Sequence, residues 1–161
     1  MFYPKKIKMY TQIAIFWGLI SGFVIGAVYE IFGVLIIKLF TTDSSIKEVF
    51  ISLLPYIALH QIFDHIQTIE TGVLKSLKRQ RHAGIALILI MFGCGLPVAY
   101  ETAFRLKWGI VGAYFGLIVG TALITAYFTV LILLFTNWND LAKNITTLAE
   151  QSKEEVDLAV I

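Results

Sequence analysis

Charge and cysteine are both scarce in this chain. Charged residues make up 15% of its 161 positions, well under the roughly 25% of soluble domains. So few charges cannot keep in water a single domain that is 58% hydrophobic with a mean hydropathy of +0.79. Lipid must cover much of it. The one cysteine, Cys94, excludes an internal disulfide and has no companion metal ligands, so it reads as a small packing residue. No metal-ligand set, phosphate-cradling glycine loop or nucleophile–base pair is found, which argues against an enzyme and leaves no catalytic residue to name. No basic cluster with interleaved aromatics points to nucleic acid. A cleavable signal peptide is not expected either, because the apolar run after Lys5, Lys6 and Lys8 is too long and lacks a small-residue cleavage site.

What is abundant is apolar sequence in helix-length runs. A hydrocarbon core takes about 20 apolar residues of helix. On that measure the chain is an all-α integral membrane protein with a basic N-terminus (1–9), a four-helix transmembrane region (10–135) and a polar tail (136–161). The spans fall at about 10–39, 46–77, 83–104 and 109–135. Ser45 and Glu48 form an S-x-x-E capping box that predicts the start of the second helix, and Asp43 suits its positive end. Pro55 should kink this helix, and Pro97 should loosen the third. Lys5, Lys6 and Lys8, then Lys75, Lys78, Arg79 and Arg81, then Lys143 and Lys153, outnumber Lys38, Lys47, Arg105 and Lys107 on the other side. Both termini are therefore expected in the cytoplasm. There the sequon Asn144-Ile145-Thr146 would go unmodified, and the tail from Asn139 to Val156 would form a short surface helix.

Glycines recur at four-residue intervals in two spans, as Gly18, Gly22 and Gly26 and again as Gly112, Gly116 and Gly120. That spacing lets helix backbones approach closely in lipid, where dispersion drives association. It marks helix interfaces without naming a partner. Glu101 and Arg105, four apart near the end of the third span, suit a surface ion pair.

The second span carries polar groups where an apolar helix should cross. With Asp64 as the reference heading, His60, Gln61, Gln67, Thr68 and Thr71 fall within about 60° of it at 100° per residue. Ile62, Ile66, Ile69 and Val73 point away, toward an expected lipid face. His65 and Glu70 lie off the stripe, and Glu70 is placed near the basic loop, within reach of Lys75 or Lys78. Intramembrane ionisable residues are costly and mark ion or substrate pathways by default. Asp64, deep in the span with no basic residue within a turn or two, could alternate between a proton and a cationic substrate. Glu30 is a weaker candidate that suits the interface or a pair with Lys38.

The run Leu54-Pro55, Gln61-Ile62-Phe63-Asp64-His65-Ile66-Gln67 and Gly72-Val73-Leu74-Lys75 resembles the tenth helix of eukaryotic-type multidrug and toxic compound extrusion (MATE) transporters. Phe40-Thr41-Thr42-Asp43, Gly95-Leu96-Pro97-Val98, the stretch Trp108 to Leu117 and Asn137-Trp138 resemble later landmarks of that family, in order and at matching intervals. The resemblance implies helices nine to twelve of a twelve-helix transporter, within one six-helix lobe. It also implies a fragment or truncated product, needing missing helices or a homo-oligomer to act. It further implies export of organic cations in exchange for H+ or Na+, with no other cofactor. The family's acidic residue maps onto Asp64, and Gln67, Thr68 and His60 would line the path. His65, Thr68 and Ser76 stand where the family has glycine, Glu70 where it has an apolar residue, and Lys75 where it has arginine. The alternative reading is a small non-transporting membrane protein that binds partner helices through its glycine faces.

Overall fold

A computed structural model describes residues 4–139 and Thr147. Among them the chain is entirely helical: α1 (Pro4–Phe40), α2 (Ser44–Ser76), α3 (Gln80–Ile90), α4 (Leu96–Tyr100) and α5 (Ile110–Leu134). Two π-helical turns, Met91–Gly95 and Glu101–Arg105, join α3 to α4 and extend α4. Gln80–Arg105 thus runs as one span, and four helices are long and apolar enough to cross a membrane. The sequon and most of the tail lie outside the described residues.

Each boundary has a local cause. The Asp43 carboxylate accepts from Ser45 N at 2.8 Å, so Asp43 caps α2 and the Ser45–Glu48 box does not. The aspartate sits two residues earlier, with extended backbone, where a side-chain oxygen reaches the second helical N–H. α2 ends at a left-handed Lys78 (φ 58°), and the guanidinium of Arg79 donates to Phe135 O at 3.1 Å, fastening this turn to the end of α5. Pro55 is accommodated without a break in α2. Pro97 lacks an N–H and follows a π turn in which Leu96 N reaches back to Met91 O; the loosening falls there. Before α5, Gly109 adopts φ 60° and ψ −135°, a conformation open essentially to glycine alone.

The four spans pack as a row. α1 lies against α2, α2 against α5, and α5 against the third span, while the backbones of α1 and α5 stay apart. Glycine sets both outer seams. A methyl group on Gly22 would come within 2.8 Å of Gln61 O and Ile62 Cα, and one on Gly26 within 2.7 Å of Ala58 O. Gly18 is equally close to Ile69 Cδ1 of α2, at 2.9 Å. On α5, a methyl group on Gly112 would lie 2.6 Å from Thr102 C, one on Gly116 2.3 Å from Ala99 N, and one on Gly120 2.9 Å from Met91 Sδ. Thr102 strengthens the second seam by donating to Gly112 O at 2.6 Å. The apolar cluster of Leu74, Ala83, Ala86, Ile124, Phe128 and Ile132 closes the basic end, where α2, α3 and α5 meet. Elsewhere large side chains such as Phe23, Ile31, Phe92 and Phe104 face outward, as lipid solvent allows. Cys94 is exposed too, so it does not serve as a packing residue within the chain.

One expectation about α2 is corrected. The Ile62, Ile66 and Ile69 face is covered by the α1 glycines, and Val73 packs on the apolar cluster, so this is not a lipid face. Its isoleucines fill the flanks of a helix-thin α1, which a 3.6-residue periodicity alone cannot distinguish from lipid contact. Gly116→Ala should lower stability by about 1–3 kcal/mol, the usual cost of overpacking. Gly93→Ala, where nothing lies within 4 Å of the added methyl group, should be neutral in the same detergent melting assay.

Candidate functional site

The row architecture gives α2 two occupied flanks. Ala58, Gln61, Ile62, Ile66 and Ile69 meet α1. On the other flank His60, Phe63 and Glu70 bond to α5. At 100° per residue Asp64 points between these flanks, into the space that α1 and α5 leave open. Asp64 stands twelve residues before the end of α2 at Ser76, about 18 Å along the axis and thus mid-span.

Asp64 is half-buried, and its carboxylate hydrogen-bonds no group among the described residues. It lies within electrostatic reach of His60 and of Tyr114 on α5, and Tyr29 of α1 reaches Tyr114 in turn. Two rings, one from α2 and one from α5, therefore stand near this carboxylate. The His60 ring meets Tyr114 edge-on with centroids 5.8 Å apart. Its Nε2 lies 3.2 Å from Thr121 Oγ1. Since that hydroxyl already donates to Leu117 O at 2.9 Å, the histidine must be the donor and carries its proton on Nε2. His60 is thus held by α5 and not by a hydrogen bond to Asp64.

Gln67 and Thr68 share the Asp64 side of the helix, Gln67 half-buried and Thr68 exposed to the gap. Thr71 donates back to Gln67 O at 2.8 Å, so its hydroxyl hydrogen is spent within α2. His65 donates from Nδ1 to Gln61 O at 2.9 Å and belongs to the α1 flank. Glu30 makes no ion pair with Lys38; it borders an apolar groove of about 340 Å³ between Phe23, Ala27, Pro55 and Ile62, on the side of the row away from Asp64. Glu101 and Arg105 do pair, at 3.1 Å, both exposed; this is the one ion pair among the described residues.

Glu70 departs furthest from expectation. It is 0% exposed, and it accepts a hydrogen bond from Thr129 of α5, with no bond to Lys75 or Lys78. Sequence reasoning missed the signal: Thr121, Thr125 and Thr129 recur every fourth residue, like the glycines, and all three bond to α2. Thr125 reaches the Phe63 carbonyl at 3.2 Å. Tyr29 and Tyr114 gave no such periodic clue.

Four helices long and apolar enough to cross a membrane, one of them with a polar face turned into a gap, define a multi-pass membrane protein. A MatE family model matches residues 3–101, and the chain belongs to that family. It is 30% identical to an uncharacterized transporter of Schizosaccharomyces pombe over 86% of this chain and 26% of the relative. It is 27% identical to Protein DETOXIFICATION 16 of Arabidopsis thaliana over 98% of this chain and 32% of that one. Multidrug and toxin extrusion protein 2 of Mus musculus is 26% identical, over 78% of this chain and 21% of its own length. The crystal structure of the eukaryotic MATE transporter AtDTX14 superposes with a TM-score of 0.77 at 25% identity, covering 88% of this chain and 31% of that one. The chain therefore spans about a third or less of these relatives.

A double-mutant cycle on His60→Ala and Thr121→Val should return a coupling of about 0.6 kcal/mol, the average for hydrogen bonds between membrane helices. Additive losses would show that the two side chains do not bond.

Proposed function

We propose that this chain forms the cation-binding part of a MATE-type antiporter, exporting organic cations or related xenobiotics in exchange for protons or sodium. The observation that carries the reading is the Asp64 carboxylate: mid-span, half-buried, hydrogen-bonded to no described residue and within electrostatic reach of His60 and Tyr114. A carboxylate without a counter-ion in such a place calls for a mobile positive partner. Aromatic faces favour an organic cation over a hydrated one. A proton arriving on Asp64 removes the charge that holds the substrate, so proton and cation exclude each other and exchange becomes obligatory. Gln67 and Thr68 supply neutral hydrogen-bonding groups beside the charge and fix a substrate's orientation.

Movement of one helical lobe against another underlies alternating access in transporters of repeated lobes. A second lobe, whether from further helices or another copy of the chain, would face the open side of the row. A cytoplasmic position for both termini, which the distribution of lysine and arginine supports, would have protons enter the site from the side opposite Lys75. The competing idea, a helix-binding module that uses the glycine faces, lacks its surface: both glycine triplets are already packed within the chain.

Asp64→Asn should abolish pH-driven efflux of an organic cation such as tetraethylammonium from proteoliposomes, while the variant still inserts. Full efflux by that variant would end the assignment. Thr68→Val should weaken substrate affinity several-fold and leave proton dependence in place.

A further inference from the structure

We propose that Glu70 is a second proton-binding site, separate from Asp64, whose proton is locked into the seam between α2 and α5. Glu70 is fully buried, and its second oxygen, Oε2, has no hydrogen-bond partner. Its other oxygen, Oε1, is the acceptor for Thr129. The hydroxyl hydrogen can serve only one carboxyl oxygen, so the other is left bare.

Among the described residues no countercharge is at hand. On α2, Lys75 is exposed and turned about 140° away from Glu70. His65 bonds to Gln61 O on the α1 flank. On α5, Tyr127 borders a pocket with Arg79 and His82, and Arg79 is committed to Phe135 O. On α3, Arg81 and His82 are both exposed, and on α1 Lys8 and Tyr10 are exposed as well. None of these faces the Glu70 carboxyl. A buried anion without a counter-ion is far costlier than a neutral acid with one unbonded O–H. The proton is the smallest cation and needs no space beyond Oε2 itself.

The seam explains why the proton is held. Thr121, Thr125 and Thr129 tie α5 to α2 at three successive levels. Leu74, Ile124 and Phe128, all 0% exposed, seal the end near the basic turn. Water reaches Glu70 only if α2 and α5 part. Exchange of this proton therefore reports opening of the seam, and a role in an antiport cycle rests on the function proposed above.

Infrared spectroscopy of the full chain in phosphatidylcholine vesicles tests the proposal directly. At neutral pH a carboxylic-acid C=O band is expected in the wild type. It should disappear in E70Q, persist in D64N, and exchange in deuterium oxide more slowly than any band from an exposed acid. T129V, which removes the donor to Oε1, should keep the band and move it to higher wavenumber. A wild type with no such band, or a band that E70Q leaves in place, overturns the proposal. Failure of Asp64→Asn to stop efflux would sink the transport reading and leave this one standing.

Discussion

Close approach of two helices to opposite flanks of α2 is the constraint on which everything else rests. Gly18, Gly22 and Gly26 bring α1 onto one flank at backbone contact. Hydrogen bonds at Thr121, Thr125 and Thr129 hold α5 on the other. With both flanks taken, only two headings on α2 stay open, and the Asp64 stripe owns one of them. In lipid no water is expelled when helices associate, so this positioning comes from van der Waals fit and interhelical hydrogen bonds. A side chain on Gly22 or Gly26 would push α1 outward and turn the stripe.

The same constraint separates two carboxyl groups only six residues apart. Asp64 looks into the gap between α1 and α5, where a ligand can arrive. Glu70, about 120° around the helix, looks into the seam itself, where none can. One is a site for exchange with solution; the other is occluded by packing. The class of ion or ligand each can hold follows from access more than from chemistry.

Much of this was legible in the sequence. Four apolar runs gave the spans, and α1 and α2 match their expected lengths apart from an earlier start at Pro4. Glycine spacing marked seams that the structure places within the chain. Other features were hidden for physical reasons. Helical periodicity reports which residues share a face but not what covers it, so isoleucines packed on α1 resemble isoleucines in lipid. Glu70 reads as interfacial by sequence distance from Lys75, because burial by a helix some 60 residues later has no local signature. The contact of His60 with Tyr114 joins α2 to α5 and is visible only once they are assembled. Asp43 displaced the Ser45–Glu48 capping box because two good N-cap candidates lay two residues apart and the earlier one had the extended backbone.

The orientation of α2 within the row is the claim most exposed to direct measurement. In a Cys94→Ser background, single cysteines at positions 62, 64 and 66 can be challenged with a membrane-impermeant cationic thiol reagent in vesicles. The packing described predicts rapid modification of Asp64→Cys and protection of Ile62→Cys and Ile66→Cys beneath α1. Equal reactivity at all three positions, or faster reaction at 62 and 66, would contradict it.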